Sequence, residues 1–316
     1  MQAIRYARYG GPEVLRLEDV PLPVPGPGQV RVDLRAASVI PADWKVRAGH
    51  LKHLFPISFP KIPGRDGAGV VGKVGAGVDD VAHGAPVCVV AQHVEAGTYA
   101  QAIIRDRESL VALPSNLDFE QGAALMHAGI CAWICLVETA QLQSGMRVLI
   151  HGGAGAIGGL AIQLARHRGA HVVTTCRADN VAYVAALGAH EVIAYDREDF
   201  ARTPQRFDVV LDLIGGDVHA RSYAVLKKGG HMVCLIAAPF VDRAEEFGVR
   251  VTVARIHDRR PALEAVAALA AQGVLRPQIS ARMALADAAE AHRAMEANLV
   301  TRGRIVLQVP PLCEIL

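Results

Sequence analysis

A glycine-rich loop in the middle of the chain carries the most informative spacing in the sequence. The stretch HGGAGAIGG covers residues 151–159, and within it Gly153, Gly155 and Gly158 spell G-x-G-x-x-G. In dinucleotide-binding proteins the first glycines allow a tight turn and a close approach of the pyrophosphate, and the third lets the following helix pack on the preceding strand. The free N–H groups and positive dipole end of that helix then face the phosphates. The motif alone also fits a structural turn, so the flanking elements decide.

The segments on either side of the loop are typical of a β-α-β unit. MRVLIH, residues 146–151, is a short apolar run that predicts a strand, and LAIQLARHRGA, residues 160–170, has helical spacing. The β-branched run AHVVTTC follows at residues 170–176. A dinucleotide fingerprint must follow a strand and open a helix, and this loop does both. The sequence therefore predicts cofactor contacts along the loop, by Gly152, Gly153, Ala154, Gly155, Ala156, Ile157 and Gly158.

The residue after the second predicted strand indicates which dinucleotide binds. An NAD site usually has Asp or Glu about 20 residues beyond the glycines, where it binds the ribose. Here that strand is followed by Arg177, and the first carboxylate is Asp179. An acid would repel a 2′-phosphate, whereas an arginine can pair with it through two hydrogen bonds. The sequence therefore favours NADP(H) over NAD(H), with a solvated loop residue as the alternative interpretation of Arg177.

Composition and charge exclude several other classes of function. The 316 residues carry a formal net charge of only +2 without a dense Lys/Arg run, which argues against a nucleic-acid groove or an anionic membrane surface. Aromatic residues make up 5%, too few for single-stranded nucleic-acid binding. MQAIRYARYG lacks a signal-peptide core, and His127 and Glu138 interrupt the apolar segment GAALMHAGICAWICLVETA, so we expect a buried helix rather than a membrane span. The scattered cysteines predict reduced thiols and a cytoplasmic protein.

The pattern of elements predicts an α/β protein with two domains. Residues 1–118 are rich in Gly, Pro and Val and alternate between apolar and polar positions, as in VLRLEDVPLPVPGPGQVRVDLRAASV. Residues 119–274 alternate short apolar runs with helical segments, which indicates a doubly wound parallel sheet of six strands. Residues 275–316 contain an amphipathic helix, a turn and one strand, and we expect this tail to pack on the first domain.

Motifs along nearly the whole chain resemble those of one known family, the zinc-independent, zeta-crystallin-like quinone oxidoreductase branch of the medium-chain dehydrogenase/reductases. The similar segments are ASVIPADWKVRAGH, FPKIPGRDGAGVVGKVGAGV, LMHAGICAW, GGAGAIGGLAIQLARHRGAHVV, DVVLDLIGG and GRIVLQV. The resemblance implies a GroES-like catalytic domain, residues 1–118 completed by 275–316, and a Rossmann domain, residues 119–274. It also implies a homodimer joined through the Rossmann sheet edge that HMVCLIAAP and RVTVARI supply.

The zinc-ligand positions of related alcohol dehydrogenases do not hold a ligand set in this sequence. The positions that resemble the C-x-x-D cysteine, the G-H-E motif and the cysteine before A-G are Ile40, the triplet Gly64, Arg65 and Asp66, and His127. Catalytic zinc needs three protein ligands, so the sequence predicts no metal. His127, Cys131 and Cys135 share one helix face but span about 12 Å of axis, which favours core packing over metal binding.

Further candidate site residues come from the same resemblance. It implies cofactor contacts outside the loop by Thr175, Tyr195, Ile214, Cys131 and Arg304. Ile40 and Cys131 replace an Asn and a Thr that can hydrogen-bond near the nicotinamide in the family, so those contacts are lost or replaced here. Lys45 and Tyr99 are candidate proton donors, with a solvent proton as an equal alternative. Asp43 is expected to order its loop. Arg65 is a candidate to pair with a cofactor phosphate or the substrate, with an ordinary surface charge as the alternative, and Arg47 is expected to be an ordinary surface charge.

The function expected from the motifs and the resemblance is hydride transfer without a metal. NADPH would reduce a small-molecule quinone or the β-carbon of an α,β-unsaturated carbonyl, with the protein positioning the cofactor. Two alternatives stay open at this point. One is a zinc-free alcohol dehydrogenase, although polarising an alkoxide without a metal is difficult. The other is a non-catalytic NADPH-binding protein, a role that lens crystallins of this family serve.

Overall fold

The computed structural model of the protein describes residues 1–202, 204, 206–236 and 239–312. The chain divides into two compact units. The first contains Met1–His127, Asp258–Gly273 and Pro277–Leu316, and the second contains Ala128–His257 and Val274–Arg276.

The described residues form fifteen strands and eight α-helices, which are joined by turns and loops. The strands are β1 (Gln2–Arg5), β2 (Arg16–Asp19), β3 (Gln29–Val39), β4 (Asp66–Val74), β5 (Pro86–Val90), β6 (Ala102–Asp106), β7 (Leu110–Ala112), β8 (Arg147–Ile150), β9 (His171–Cys176), β10 (Glu191–Ala194), β11 (Phe207–Asp212), β12 (Leu226–Cys234), β13 (Arg250–Val253), β14 (Ile279–Ala284) and β15 (Arg304–Gln308). The helices are α1 (Pro41–Arg47), α2 (Phe119–Trp133), α3 (Ala156–His167), α4 (Val181–Ala186), α5 (Gly216–Ser222), α6 (Ala244–Phe247), α7 (Arg260–Ala271) and α8 (Ala288–Glu296).

The second unit is built on a parallel six-stranded sheet in the order β10-β9-β8-β11-β12-β13. Its central strand β8 is almost entirely apolar, and Val148, Leu149 and Ile150 are completely buried. Strands covered on both faces read as continuous apolar runs, which is why the sequence pattern identified them. The strand order reverses between β8 and β11, the point where doubly wound folds bind nucleotides. The predicted six-stranded doubly wound sheet is confirmed.

The first unit contains a mainly antiparallel seven-stranded sheet in the order β14-β15-β3-β4-β5-β7, with β6 also paired to β3. Along β3 the side chains of Val30, Val32 and Leu34 are fully buried, whereas the residues between them are half-exposed. This alternation is the period-2 pattern of a strand with one face in the core. The C-terminal strand β15 pairs with β3, with Ile305 opposite Val39, so the end of the chain joins the β-rich unit.

Helix α7 belongs to the first unit, although the sequence pattern places its residues in the Rossmann domain. It packs against β7, and the side-chain amide of Asn116 donates to the carbonyl of Ala270 at 2.9 Å. Five of its residues are buried, including Leu263 and Val266. A helix with one apolar stripe fits either domain from sequence alone, and these contacts decide between them.

Helix α2 continues as a π-helical turn at Ile134–Thr139. Phe119–Thr139 is the one helical segment in the described part of the chain that is long and apolar enough to cross a membrane. Its most apolar window is 72% buried inside the protein, as in a core helix. The burial agrees with the expectation of a buried helix in this segment.

A buried carboxylate joins three strands of the first unit. Asp66, at the start of β4, accepts from the Arg304 guanidinium of β15 at 2.5 Å and from the Ser38 hydroxyl of β3 at 3.1 Å. Its other oxygen accepts the main-chain N–H of His127 at 2.9 Å. Asp66 is completely buried and Arg304 is 4% exposed. An isolated buried charge is costly, so this pairing is what allows both groups to lie inside the unit.

We predict that Arg304→Met lowers the free energy of unfolding by about 3–5 kcal/mol, because it leaves the Asp66 carboxylate buried without its counter-charge. Urea unfolding measures the change. Arg293→Met is the matched control, since Arg293 pairs with Glu290 on the surface and such pairs contribute under about 1 kcal/mol. The double variant Asp66→Asn with Arg304→Met should recover part of the loss. Equal stability of Arg304→Met and Arg293→Met would contradict the structural role of the buried pair.

Candidate active site

The glycine loop connects β8 to α3 and is held by the neighbouring strand β9. The N–H of Gly153 donates to the carbonyl of Thr175 at 2.9 Å, and the N–H of Gly152 donates to the Thr175 hydroxyl at 3.3 Å. Gly152 has a φ of +76°, a conformation that favours glycine. Helix α3 begins at Ala156, directly after the loop, so its first N–H groups are free to bind an anion.

The three glycines of the fingerprint are required for different reasons. A Cβ on Gly153 would lie 2.2 Å from the Thr174 hydroxyl, and one on Gly158 would lie 2.2 Å from the Gly152 carbonyl oxygen. These two glycines are therefore needed by the internal packing of the unit. A Cβ on Gly155 would meet only the Gly152 oxygen at an ordinary 3.5 Å, and its φ of −72° suits any residue. Internal packing does not explain Gly155, and its contact with a cofactor phosphate stays a prediction.

His151, at the start of the glycine loop, holds the loop in place through hydrogen bonds of its side chain. Its ring nitrogens bond the Thr175 hydroxyl at 3.2 Å and the Ser222 hydroxyl at 3.0 Å. Burial lowers the pKa of His151 to about 4, so the ring is neutral at physiological pH. A neutral ring bonded at both nitrogens positions Thr175, which in turn holds Gly152 and Gly153.

A pocket of about 690 Å³ opens in the second unit beside this loop. The predicted contacts Gly152, Thr175, Tyr195 and Ile214 all line it. Gly152 follows β8 and Ile214 follows β11, the strands at which the order reverses. Tyr195 and Ile214 are 52% and 56% exposed, which leaves their apolar surfaces available to a flat ring. The volume lies in the range of about 300–1,000 Å³ that holds small-molecule ligands.

The rim of the pocket carries charges that the sequence reasoning missed. The run DRED at residues 196–199 lines the pocket together with Arg221. Arg221 forms ion pairs with Asp199 and, at 3.4 Å, with Asp217. The one sequence signal for these residues was their position directly after the third strand of the sheet. Arg221 comes from α5, and only the fold brings it to the same pocket.

Arg177 follows β9 but does not line the pocket. Its side chain is exposed and forms no hydrogen bond or ion pair with any residue that the structure describes. The next N–H, of Ala178, donates to the Asp196 carboxylate at 2.8 Å, which places Asp196 at the same edge of the sheet. The guanidinium is thus available to a ligand, and its role in binding a 2′-phosphate stays a prediction.

Two predicted cofactor contacts lie in buried positions. Cys131 is completely buried in α2. Arg304 lies in the ion pair with Asp66, so its guanidinium already serves the fold. The structure brings neither residue to the pocket beside the glycine loop.

The candidate proton donors of the first unit lie in different environments. Tyr99 is completely buried, and its hydroxyl bonds the Asp43 carboxylate at 3.2 Å and the His292 ring at 3.3 Å. Burial raises the pKa of Asp43 to about 7 and lowers that of His292 to about 3. This enclosed network favours a positioning role for Tyr99. Lys45 is half-buried, with its ammonium 5.7 Å from the centre of the Trp44 ring.

The expectation that Arg47 is a surface charge is wrong. Its side chain is completely buried, and it forms an ion pair with Glu296 of α8. Burial lowers its pKa. The residue lies at the end of α1, a helix of the first unit that packs against α8, and this packing encloses it. Asp43 accepts the N–H of Ile40 at 3.0 Å, which is the loop-ordering contact expected of it.

One group of three ligand-type side chains lies close together within the described residues. Asp212, His219 and Cys234 place one ligand atom each within 4.8 Å of the others, and all three are buried. The Asp212 carboxylate already accepts from His219 at 2.9 Å and from the N–H groups of Ile214 and Gly215 at 2.9 Å each. These bonds anchor the loop that carries Ile214 to the pocket. The sequence-based expectation of no metal stays a prediction.

The doubly wound sheet, its anion-binding loop and the pocket at the point of strand reversal define a dinucleotide-binding enzyme fold. Comparison with known proteins agrees. A model described as alcohol dehydrogenase GroES-like domain matches residues 26–142, and one described as zinc-binding dehydrogenase matches residues 187–307. The quinone oxidoreductase of Pseudomonas aeruginosa is 32% identical over 326 aligned positions, covering 96% of this chain and 98% of that protein.

Two further similar proteins extend the comparison. The 2-haloacrylate reductase of Burkholderia sp is 33% identical over 330 aligned positions, covering 94% of this chain and 96% of that protein. The crystal structure of Escherichia coli quinone oxidoreductase complexed with NADPH has a TM-score of 0.88 at 27% identity, covering 98% and 100% of the two chains. The chain belongs to the quinone oxidoreductase branch of the medium-chain dehydrogenase/reductases. It is an oxidoreductase of the medium-chain reductase type with a nicotinamide cofactor. These comparisons confirm the predicted family and fold.

We predict that Gly155→Ala and Gly158→Ala fail in different ways. Gly155→Ala should keep the wild-type melting temperature but raise the Kd for NADPH at least about tenfold, equivalent to about 1.4 kcal/mol, because its methyl group obstructs the phosphate. Gly158→Ala should lose about 1–3 kcal/mol of stability, because its methyl group meets main-chain atoms. Thermal unfolding and fluorescence titration with NADPH separate the two effects. A stability loss of equal size in both variants would contradict the assignment of Gly155 to the ligand.

Proposed function

We propose that the protein is an NADPH-dependent, zinc-independent reductase of quinones or α,β-unsaturated carbonyl compounds. The observation that carries the proposal is Gly155, whose missing side chain is explained by a bound phosphate and not by the protein's own packing. When bound, the nicotinamide supplies a hydride, and the protein supplies binding and orientation.

The residues present fit such a cofactor. The free N–H groups at the start of α3 would hold the pyrophosphate, and the exposed faces of Tyr195 and Ile214 would pack against the adenine. Arg177, exposed and without a partner among the described residues, would bind the 2′-phosphate. The solved Escherichia coli relative is named as an NADPH complex, which agrees with this assignment.

The substrates in the names of the relatives share one chemical feature. A quinone and a 2-haloacrylate each contain a carbon–carbon double bond conjugated to a carbonyl or carboxyl group. Zinc independence is supported by Ile40, because its alkyl side chain cannot coordinate a metal and a catalytic zinc needs three protein ligands. We therefore propose transfer to an electron-poor double bond without a Lewis-acidic metal.

We also propose a cytoplasmic homodimer joined through β13. This edge strand pairs only with β12 among the described strands, and Val253 on it is 47% exposed. An unpaired edge with exposed apolar side chains is a liability that a second copy would cover. Sedimentation velocity would give a single dimer boundary if this edge is the interface, and a monomer would contradict it.

The direct test is oxidation of NADPH with 9,10-phenanthrenequinone, 1,4-benzoquinone, a linear enone and an aldehyde, each with and without EDTA. We expect turnover of the quinones or the enone, unchanged by the chelator. Loss of activity with EDTA would contradict zinc independence. Turnover of the aldehyde alone would indicate an alcohol dehydrogenase, and tight NADPH binding without any turnover would indicate a binding protein.

We predict that Arg177→Gln raises the KM for NADPH about 10- to 100-fold and leaves the KM for NADH unchanged. The reason is the loss of charge-assisted hydrogen bonds to the 2′-phosphate, which contribute about 1.5–3 kcal/mol. Arg16→Gln, an exposed arginine of β2, is the matched control and should change neither KM. Equal effects of Arg177→Gln on both cofactors would contradict 2′-phosphate recognition.

A further inference from the structure

Arg65 is a buried cation whose binding atoms are not used by the protein. Its side chain is 7% exposed, and its Nε donates to the Ala91 carbonyl at 3.0 Å. The two terminal nitrogens have no partner within the described residues, yet neither is sealed inside, unlike Nε and Nη1 of Arg47. Both terminal nitrogens therefore keep some contact with solvent, although the side chain is nine-tenths buried.

The main chain around Arg65 fixes where the guanidinium points. The N–H of Ala91 donates to the Arg65 carbonyl at 2.7 Å, so the residue is tied to Ala91 through both its backbone and its side chain. Gly64 before it has a φ of +100°, and a Cβ there would lie 2.4 Å from the Tyr99 ring. Because Nε of the guanidinium is already bonded to Ala91, the side chain loses little entropy when it binds a ligand.

Asp66, the acid next to Arg65, attracts its charge but forms no hydrogen bond or ion pair with its guanidinium. The adjacent acid, Asp66, is already paired with Arg304. Burial, followed by the positive charges of Arg65 and Lys61, lowers the pKa of His93 to about 3. Burial and the charge of Arg65 also keep the pKa of His127 well below its usual value. Neutral imidazoles and a guanidinium with two unused donors make this a site for a negatively charged or electron-rich oxygen.

Lys61 is the other cation here, but its ammonium is already bound. Its Nζ donates to the Glu95 carbonyl, and burial lowers its pKa to about 8. The Arg65 guanidinium presents two unused donors in a planar fork. Of the two, only Arg65 combines a fixed position with unused donors.

We propose that Arg65 is the residue that binds the carbonyl or carboxylate oxygen of the substrate and stabilises the negative charge that develops on it. This inference rests on the proposed reductase function. When bound, NADPH would supply the hydride for a new C–H bond at the β-carbon and would itself be oxidised to NADP⁺. The electrons of the C=C bond move toward the carbonyl, whose oxygen becomes an enolate. Water then supplies a proton to the α-carbon, or to the oxygen when the acceptor is a quinone.

Arg65 acts in this step by electrostatics and not by proton transfer. Two N–H groups directed at the oxygen where charge develops supply the stabilisation that a metal ion gives in a Lewis-acid mechanism. The guanidinium stands at the sequence position that resembles the histidine of the zinc-binding G-H-E motif. A fixed cation from the protein thus replaces the charge of the metal.

The test compares Arg65→Gln, Arg65→Lys and the wild type as full-length protein. Kinetics with 1,4-benzoquinone, an enone and 2-chloroacrylate give kcat and KM, fluorescence titration gives the Kd for NADPH, and saturation-transfer NMR measures acrylate binding without cofactor. We expect Arg65→Gln to lower kcat/KM about 10²- to 10³-fold, as for loss of an oxyanion donor. Arg65→Lys should recover part of it. The Kd for NADPH should stay within about twofold, and acrylate binding should weaken about tenfold or more.

Arg105→Gln is the matched control, because Arg105 is 8% exposed, close to the 7% of Arg65, but its guanidinium is already paired with Glu95. It should keep wild-type kinetics. A weakened Kd for NADPH with unchanged acceptor kinetics would show that Arg65 binds a cofactor phosphate and would overturn the proposal, as would full activity of Arg65→Gln. If that variant does not fold, Arg65→Lys provides the test. Unchanged kcat/KM and unchanged acrylate binding in Arg65→Lys would contradict the claim that two guanidinium donors bind the substrate oxygen. An inactive wild type would instead refute the proposed function itself.

Discussion

The first unit depends on the ion pair and hydrogen bonds of the buried Asp66 carboxylate. This carboxylate accepts hydrogen bonds from side chains of β3 and β15 and from the main-chain N–H of His127. A carboxylate buried in that position needs a cation beside it. Arg304 provides that cation. Because Asp66 forms its ion pair with Arg304, the terminal nitrogens of the neighbouring Arg65 keep unused hydrogen-bond donors. The same contact thus stabilises the sheet and leaves these donors to the proposed substrate oxygen.

The second unit uses backbone geometry where the first uses charge. His151, Thr175 and the loop glycines form a layer of hydrogen bonds that fixes the start of α3. The N–H groups at the start of α3 are thus fixed before any ligand binds, and such preorganisation reduces the entropy lost on binding. The packing around the loop requires Gly153 and Gly158, whereas Gly155 is assigned to the proposed cofactor phosphate.

Sequence reasoning was strongest where local periodicity determines structure. The β-α-β frame around the glycine loop and the six parallel strands follow from apolar runs and their spacing, and Tyr195 and Ile214 do lie in one pocket. It was weakest for partners that are distant in sequence. Asp66 and Arg304 are 238 residues apart, and no local pattern shows that they meet. An arginine usually lies on the surface, and only the packing of α1 on α8 encloses Arg47. Similarly, α7 has an apolar stripe that fits either domain.

The most direct test of hydride transfer to a conjugated double bond uses NADPH that carries deuterium at C4 of the nicotinamide. An enone is reduced with each of the two C4-labelled forms in ordinary water, and the product is examined by NMR and mass spectrometry. The structure and family predict one deuterium at the β-carbon from one labelled form and none from the other. Product formed without deuterium from either form, or labelled only in heavy water, would contradict direct transfer from the cofactor.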